Sequence, residues 1–420
     1  MSKLFSKLTR VEDALSVISS YLEPLPSERV STHEALGRVL AEDLFSHMDM
    51  PPYDRVAFDG YAVRAEDTFG ASKDNPVLLR LRGTSFPGEE FEGELANMEA
   101  VEVGTGVPLP RGADAVVPLE HTRREGDYVE VMRQVAPGAN VDRAGSDLRA
   151  GDLVLKRGTY LGPFELLAIA SLNIVEVPVV RKPRICLIAS GNELIELGSE
   201  LKRGKVVNSN VLGVKSLIEE LADVKYLGIC RDELESLRSC LSACMDCDLI
   251  VTIAGSSVGE RDYLQEAISS LDGVILVRGL SIMPGRPTLL AIINGKPLIG
   301  LPGYPVSAMV STIEVLLPII HKLLGIRGYP ARTVIRAKLS QRVPSSAGVR
   351  HYVRVKLLKG DEGYEAVPVR VGGAGIVSSL VRADGFLVIP EEVEGYEEGT
   401  YVDVIVYRRW LDLEESLQGT

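Results

Sequence analysis

Between Arg184 and Gly325 short apolar runs alternate with segments whose apolar residues recur at helical spacing. The runs are RICLIAS (184–190), VKYLGIC (224–230), DLIVTIAG (248–255), GVILVRGL (273–280), LLAIING (289–295) and PLIGLPG (297–303). The periodic segments are VLGVKSLIEELA (211–222), ELESLRSCLSAC (233–244), RDYLQEAISSL (261–271) and a long stretch from Val306. This alternation predicts a doubly wound α/β sheet. Residues 1–46 read as helices: Val11–Tyr21 is periodic, and Thr32-His33-Glu34-Ala35-Leu36 begins a second helix under a hydroxyl cap. Pro51-Pro52 closes that stretch. From about 75 to 160 the texture changes to short β runs (VLLRLRG, AVEVGTG, AVVPLE, YVEVMRQV, DLVLKRG) punctuated by Gly and Pro, the mark of an all-β module. Pro163–Ala170 returns to helix. From Thr333 to Arg408 the runs TVIRAKL, YVRVKLL, FLVIPE and YVDVIVY, with Gly360-Asp361-Glu362-Gly363 as a hairpin turn, predict a small C-terminal barrel or sandwich.

The expected organisation is therefore multidomain, α/β plus β. A discontinuous helical and extended linker domain takes residues 1–46 and 145–180, and a β-rich domain takes 47–144. The α/β domain spans 181–327 and a small β-barrel 328–410. A length of 420 residues suits three or four such modules, and 45% hydrophobic residues give each a core. The formal net charge of −12 and the lack of a dense Lys/Arg block count against nucleic acid as a partner. The N-terminal segment lacks the uninterrupted apolar core of a signal peptide. Val306–Leu324 contains Glu314, His321 and Lys322 and reads as a buried helix, not a membrane span. A cytoplasmic protein is the expectation, and five cysteines fit a reducing compartment. Cys240, Cys244 and Cys247 have the spacing of an iron–sulfur motif, but they end a helical pattern and run into a buried strand, where a cluster finds no open loop.

In an open α/β sheet ligands sit beyond the carboxyl ends of the strands. The residues expected there are Ser190-Gly191-Asn192-Glu193, Asn208-Ser209-Asn210, Gly255-Ser256-Ser257-Val258-Gly259 with Glu260 and Asp262, Met283-Pro284-Gly285-Arg286-Pro287, and Pro302-Gly303-Tyr304-Pro305-Val306-Ser307. Glycines let backbone N–H groups turn toward an anion, and hydroxyls add donors. Acids beside such a loop repel a phosphate unless a cation or a reacting proton lies between, which points to phosphate chemistry. The bland readings are helix caps for Asn208–Asn210, first-turn acids for Glu193 and Glu260, and plain turns for the Pro-Gly pairs. Five such clusters on one sheet edge favour a site, with Arg286 as an anion contact. A second cluster, PPYDRVAFDGYAVR (51–64), gathers Asp54, Arg55, Asp59, Tyr61 and Arg64; a weaker third, ANVDRAGSD, ends in Asp147.

These segments resemble the molybdopterin molybdenumtransferases, the MoeA and gephyrin E-domain family. PPYDRVAFDGYAVR is similar to that family's DNSAMDGYAVR loop, SGNEL to TGDEL, AGSSVGERDY to GGVSVGExDY, MPGRP to KPGKP, LPGYPVSA to LPGNPVSA and RAGSDL to RRGEDI; SSLVRADGFLVIP and RHYVRV also fit family patterns. The likeness covers nearly the whole chain in order. It implies an elongated four-domain homodimer with a molybdopterin-binding α/β domain and a C-terminal β-barrel. The implied reaction inserts molybdate (or tungstate) metal into adenylylated molybdopterin and releases AMP, aided by Mg²⁺ or another divalent cation. The implied active site is shared between subunits. The pathway's adenylyltransferase and the receiving apo-molybdoenzymes are further implied partners, with no nucleic acid and no membrane.

Carried over by residue, Ser190, Gly191, Glu193, Gly255, Ser257, Gly259 and Asp262 fall on the pterin–nucleotide crevice. Asn192, Asn208, Asn210, Ser256, Pro284, Gly285, Gly303, Tyr304 and Ser307 line the same loops. Asp262 and Glu193 are the expected cation ligands, and Asp54, Asp59 and Asp147 the acids from the partner subunit's loops. Arg286, Arg354, Ser378 and Ser379 are the expected molybdate contacts, since a tetrahedral dianion needs fixed donors and positive charge. This chain departs from the family at Asn192 and Asn208 (Asp), Met283 (Lys), Tyr304 (Asn), Ala254 (Gly) and Val56 (Ser), while His351 takes an acidic position. The competing readings are a non-catalytic molybdopterin-binding scaffold and a molybdopterin adenylyltransferase.

Overall fold

The structure, a computed structural model, describes residues 8–254, 263–328, 331–360, 363–370 and 372–408. Residue contacts gather the chain into two compact units. One comprises Met1–Ala41, Gly158–Gly162 and Val177–Thr420; the other comprises Glu42–Arg157 and Pro163–Glu176.

The first unit is built on β1 (Arg184–Ser190), α1 (Ser209–Ile218), β2 (Asp223–Cys230), α2 (Leu234–Ser242), β3 (Leu249–Ala254), α3 (Tyr263–Ser270), β4 (Val274–Arg278), β5 (Leu289–Ile293) and β6 (Lys296–Pro302). The six strands lie in the order β2-β1-β3-β6-β5-β4. β2, β1, β3 and β6 are parallel, whereas β5 runs antiparallel to both neighbours. Strands covered on both faces need apolar residues at every position, and the two faces divide the residues of β1. Ile185, Leu187 and Ala189 enter a core layer with helix Val11–Ser19 and α1, while Cys186 and Ile188 enter a layer with α2 and α3. Pro305–Leu323 forms one long helix, α4 (Pro305–Ser311) and α5 (Leu317–Leu323) joined by a π-helical turn over Thr312–Leu316. By length and composition it could cross a membrane, but its apolar side chains belong to the first core layer, and it is 61% buried.

Downstream, β7 (Val334–Leu339), β8 (Arg350–Gly360), β9 (Gly363–Arg370), α6 (Val377–Arg382), β10 (Gly385–Ile389) and β11 (Tyr401–Val406) follow. They pair in the order β8-β9-β7-β11-β10, and β10 pairs again with β8, which closes a five-stranded barrel. Closure removes exposed sheet edges. It needs Gly385, where a side chain would meet the Ile405 carbonyl at 2.5 Å. The short strand Ile282–Met283, from the α/β domain, pairs in parallel with the start of β8, Ile282 opposite Arg350 and Met283 opposite His351.

The second unit holds a six-stranded mixed sheet in the order Ala115–Pro118, Gly60–Val63, Glu99–Val103, Val77–Ser85, Tyr128–Val131, Thr122–Glu125, together with helix Pro163–Ser171. Gly60 of the DGY segment is required there, because a side chain would stand 2.1 Å from the Val117 carbonyl.

Two expectations change. The second N-terminal helix is absent: Ser27–Ser31 is a strand, and Thr32–Glu34 is one 3-10 turn whose His33 N–H donates to Ser31 Oγ at 3.4 Å. Pro24 and Pro26 disfavour helix upstream, and Gly37 turns left-handed (φ +76°) just beyond. The cysteines also differ from free thiols. Cys186 pairs with Cys247 and Cys230 with Cys240 as disulfides, leaving Cys244 buried and unpaired. Burial pushes the Cys244 thiol up to about 12. Cys240 and Cys247 are each paired with a cysteine outside the Cys240, Cys244 and Cys247 trio. Of the expected linker segments, 1–41, 158–162 and 177–180 lie in the first unit, and 42–46, 145–157 and 163–176 in the second.

Candidate active site

Register alone assembles the crevice. Cys230 on β2, Ser190 on β1, Ala254 on β3 and Pro302 on β6 stand in one row across the sheet, so four parallel strands end at the same level. The described loops that follow β1, β2 and β6 therefore leave the sheet at one level. Ser190 is 3% exposed, and its Oγ has no hydrogen-bond partner among the described residues; Thr252 Oγ1, two residues before the end of β3, is likewise buried and unpartnered. A hydroxyl stranded in this way costs about 1–3 kcal/mol. Ser190 stands at the end of its strand, where a ligand could supply the missing partner, while Thr252 lies two residues deeper, opposite Gly300. Next to Ser190, the Glu193 carboxylate folds over Gly191, where any side chain would lie 2.7 Å from Glu193 Oε2. Asn192 anchors this loop sideways, with its Oδ1 accepting from the Asp232 N–H at 3.2 Å and its carbonyl from Lys205 Nζ at 2.6 Å.

Asn208 and Asn210 come in from the start of α1. Asn210 Nδ2 donates to the Gly303 carbonyl at 2.7 Å, which joins the second and fifth predicted loops. Asn208 donates to Tyr226 Oη at 2.8 Å, and Tyr226 donates to Glu196 Oε1 at 2.7 Å. Burial and the neighbouring Glu196 carboxylate push the Tyr226 phenol above its ordinary range. A carboxylate at 208, as in the family, cannot donate to that phenol oxygen, so the asparagine fits its tyrosine. Asn208 does not cap its helix with its side chain.

The Met283-Pro284-Gly285-Arg286 turn is fixed from beneath. Thr288 Oγ1 donates to the Gly285 carbonyl at 2.7 Å and meets Ser311 Oγ of α4 at 2.7 Å. Gly285 has φ +125°, and a side chain there would meet Ile282 Cδ1 at 2.5 Å and Ser311 Oγ at 3.0 Å. Arg286 projects outward, exposed. From the barrel, the loop 372–376 docks on the last crevice loop: Val306 N–H donates to the Ala374 carbonyl at 3.0 Å, and Gly375 faces the Tyr304 ring. Arg354 is 1% exposed, and its Nη2 donates to the Gly372 carbonyl at 2.7 Å. Arg354 alternates with the barrel-core residues Val353 and Val355, so it lies on the outer face of β8 and braces that loop from there. Ser379 is buried with its hydroxyl on the Ile376 carbonyl at 2.6 Å, while Ser378 is exposed. Ser307 is buried at 4% exposure in α4. Gly255, Ser256, Ser257, Gly259 and Asp262 lie outside the described residues.

The acids of the second unit are bonded to other segments of that unit. Asp54 accepts from the Ala144 N–H at 2.9 Å and from Arg143 Nη1 at 2.5 Å; these contacts hold its carboxyl below the usual range. Asp59 accepts from both the hydroxyl and the N–H of Thr105, each at 2.7 Å, with the same effect. It lines a cavity of about 320 Å³ with Phe86, Glu102 and Leu119. Asp147 is exposed, and its N–H donates to the Met50 carbonyl at 3.0 Å.

Comparison with known proteins gives this arrangement its family. Residues 9–173 match the MoeA N-terminal region (domain I and II), residues 187–322 a probable molybdopterin binding domain, and residues 336–407 the MoeA C-terminal region (domain IV). The chain belongs to the MoeA family. A putative molybdopterin biosynthesis protein of Methanocaldococcus jannaschii is 36% identical over 97% of this chain and all of its own length. The molybdopterin molybdenumtransferase of Bacillus subtilis is 32% identical over 95% of this chain and 94% of its own. The crystal structure of a molybdopterin biosynthesis moeA protein from Pyrococcus horikoshii superposes with a TM-score of 0.82 at 32% identity, covering 96% of this chain and all of that one. Sequence reasoning overlooked Thr252, Tyr226, Glu196, Thr288 and Ser311. Of these, Tyr226 and Thr252 carry a visible signal, a polar group within an apolar run.

Proposed function

We propose that this chain inserts the metal of molybdate or tungstate into adenylylated molybdopterin and releases AMP. The carrying observation is the row Cys230–Ser190–Ala254–Pro302 with the unpartnered Ser190 hydroxyl in it, in a chain that matches this family over nearly its whole length. In this reading Ser190 and the backbone around Gly191 receive the phosphate-bearing part of the substrate, and Arg286 offers charge to the oxyanion. The Asn208–Tyr226–Glu196 chain holds one crevice wall in a fixed orientation. A divalent cation is proposed at the Glu193 carboxylate, which lies against Gly191 and offers the hard oxygen that Mg²⁺ prefers, with Asp262 as its proposed companion. When bound, such a cation screens the phosphates and polarises the phosphorus. The proposed working form is a homodimer, with Asp54, Asp59 and Asp147 serving the partner's reaction.

The test supplies adenylylated molybdopterin, molybdate and Mg²⁺ and follows AMP release and metal incorporation. Binding without AMP release would sink the enzymatic reading. Formation of adenylylated molybdopterin from molybdopterin and ATP would favour an adenylyltransferase instead. Asp262→Ala is expected to abolish AMP release while retaining pterin binding, and wild-type release by that variant removes the acid from the mechanism.

A further inference from the structure

Tyr304 is an aromatic residue at the mouth of a polar crevice, where the family sequence has asparagine. Its side chain is left open to solvent (57% exposed), yet the backbone that carries it is fixed on both sides. Immediately before it, the Gly303 carbonyl accepts from Asn210 Nδ2 at 2.7 Å. Two residues after it, the Val306 N–H is bonded to the Ala374 carbonyl at 3.0 Å. Pro305 restricts the residue between and starts α4. The ring rests on Gly375, whose missing side chain lets the tyrosine lie against bare backbone; a β-carbon there would already touch ring carbons at 3.4 and 3.6 Å. An aromatic ring ordered in this way loses little freedom on binding a ligand. What fixes the ring is its contact with Gly375 and the anchored backbone on either side.

We propose that Tyr304 is a stacking platform that receives a planar heteroaromatic ring of the substrate, and that it sets specificity where relatives use a polar asparagine. This rests on the proposed function, because the adenine and the pterin of adenylylated molybdopterin are the two rings that reaction brings to the crevice. Stacking on an aromatic side chain tolerates any flat π-face and requires no hydrogen bond.

The experiment measures equilibrium binding of AMP and, separately, of molybdopterin to the intact protein and to Tyr304→Phe and Tyr304→Asn, with AMP release assayed in parallel. Tyr304→Phe is expected to bind as wild type. Tyr304→Asn should weaken one of the two ligands on the order of tenfold, with an unchanged unfolding midpoint and an unchanged KM for molybdate. Selective loss of AMP assigns the platform to adenine; selective loss of molybdopterin assigns it to the pterin. If Tyr304→Asn binds both ligands as wild type and still releases AMP, the platform is refuted and the proposed function stands. If the wild-type chain binds neither ligand, both fall together.

Discussion

Thr288 is the hub beneath the turn that presents Arg286, and removing its hydroxyl tests whether that turn is a built part of the site. It is fully buried and has one hydroxyl proton, donated to the Gly285 carbonyl at 2.7 Å; the contact with Ser311 at 2.7 Å must then run from the Ser311 hydroxyl to Thr288 Oγ1. Thr288→Val keeps the shape and deletes both bonds. The Gly285 carbonyl still accepts the residue-288 N–H at 3.1 Å, but the Ser311 hydroxyl is stranded in the core. One lost bond at about 1 kcal/mol and one stranded hydroxyl at about 1–3 kcal/mol give a loss of about 2–4 kcal/mol. Ser311→Ala alone removes only one bond and should cost about 1 kcal/mol. The double variant no longer strands a hydroxyl and should cost less than the sum of the two singles by about 1–2 kcal/mol. Urea unfolding of the four proteins measures this cycle. AMP release at varied molybdate measures its consequence, a raised KM for molybdate in Thr288→Val with a smaller change in kcat. Strict additivity, or an unchanged KM, refutes the bracing argument.

The Asp248 carboxylate accepts two bonds from Arg181, at 2.7 and 2.9 Å, and one from the Arg184 N–H at 2.8 Å. Burial alone would raise its pKa, but these contacts prevail and lower it. With a folded value below the unfolded one of about 3.9, its stabilisation is complete above that pH and lost as the pH falls through the folded value. Asp248→Asn should therefore be less stable than wild type by on the order of 2 kcal/mol at pH 7, the gap narrowing in acid-unfolding measurements as the pH falls below the unfolded carboxylate value. Alkylation in denaturant without reductant should mark only one of the five cysteines, Cys244, and all five after reduction. Removing the Cys186–Cys247 link, which spans 61 residues, should cost about 4 kcal/mol. Gly385→Ala should open the β10–β11 edge of the barrel, seen as faster amide exchange at Phe386 and Leu387; native-like protection would show that the 2.5 Å contact relaxes without cost.

The α/β order was legible because its strands are buried on both faces and its helices are amphipathic; the two signals alternate without ambiguity. The crevice followed from one rule about strand ends, and register then brought Ser190 level with Ala254 and Pro302. Ser27–Ser31 was misread because SERVS has neither a helical nor a clear strand pattern, and its pairing with Glu176–Val180 lies far along the chain. The disulfides depend on strand register for the same reason: Cys186 and Cys247 are brought to a Cα separation of 6.0 Å only once β1 and β3 pair. Arg354 shows a different limit. Charge type suggested an anion contact but gave no sign that the guanidinium is buried on the outer face of β8 with Nη2 on the Gly372 carbonyl.

The two-residue strand Ile282–Met283 makes the C-terminal barrel a co-owner of the loop that carries Arg286. Its partner residues, Arg350 and His351, belong to the barrel, and the Arg350 N–H also donates to the Ser281 carbonyl at 2.8 Å. The barrel is thus no detachable appendage. Trimming the chain after α5 to obtain a minimal pterin-binding fragment would leave the fully buried Ile282 without its covering strand, and the arginine turn without one of its anchors. Exchanging barrels among family members should succeed only when residues 281–283 and 350–351 travel together as a matched seam.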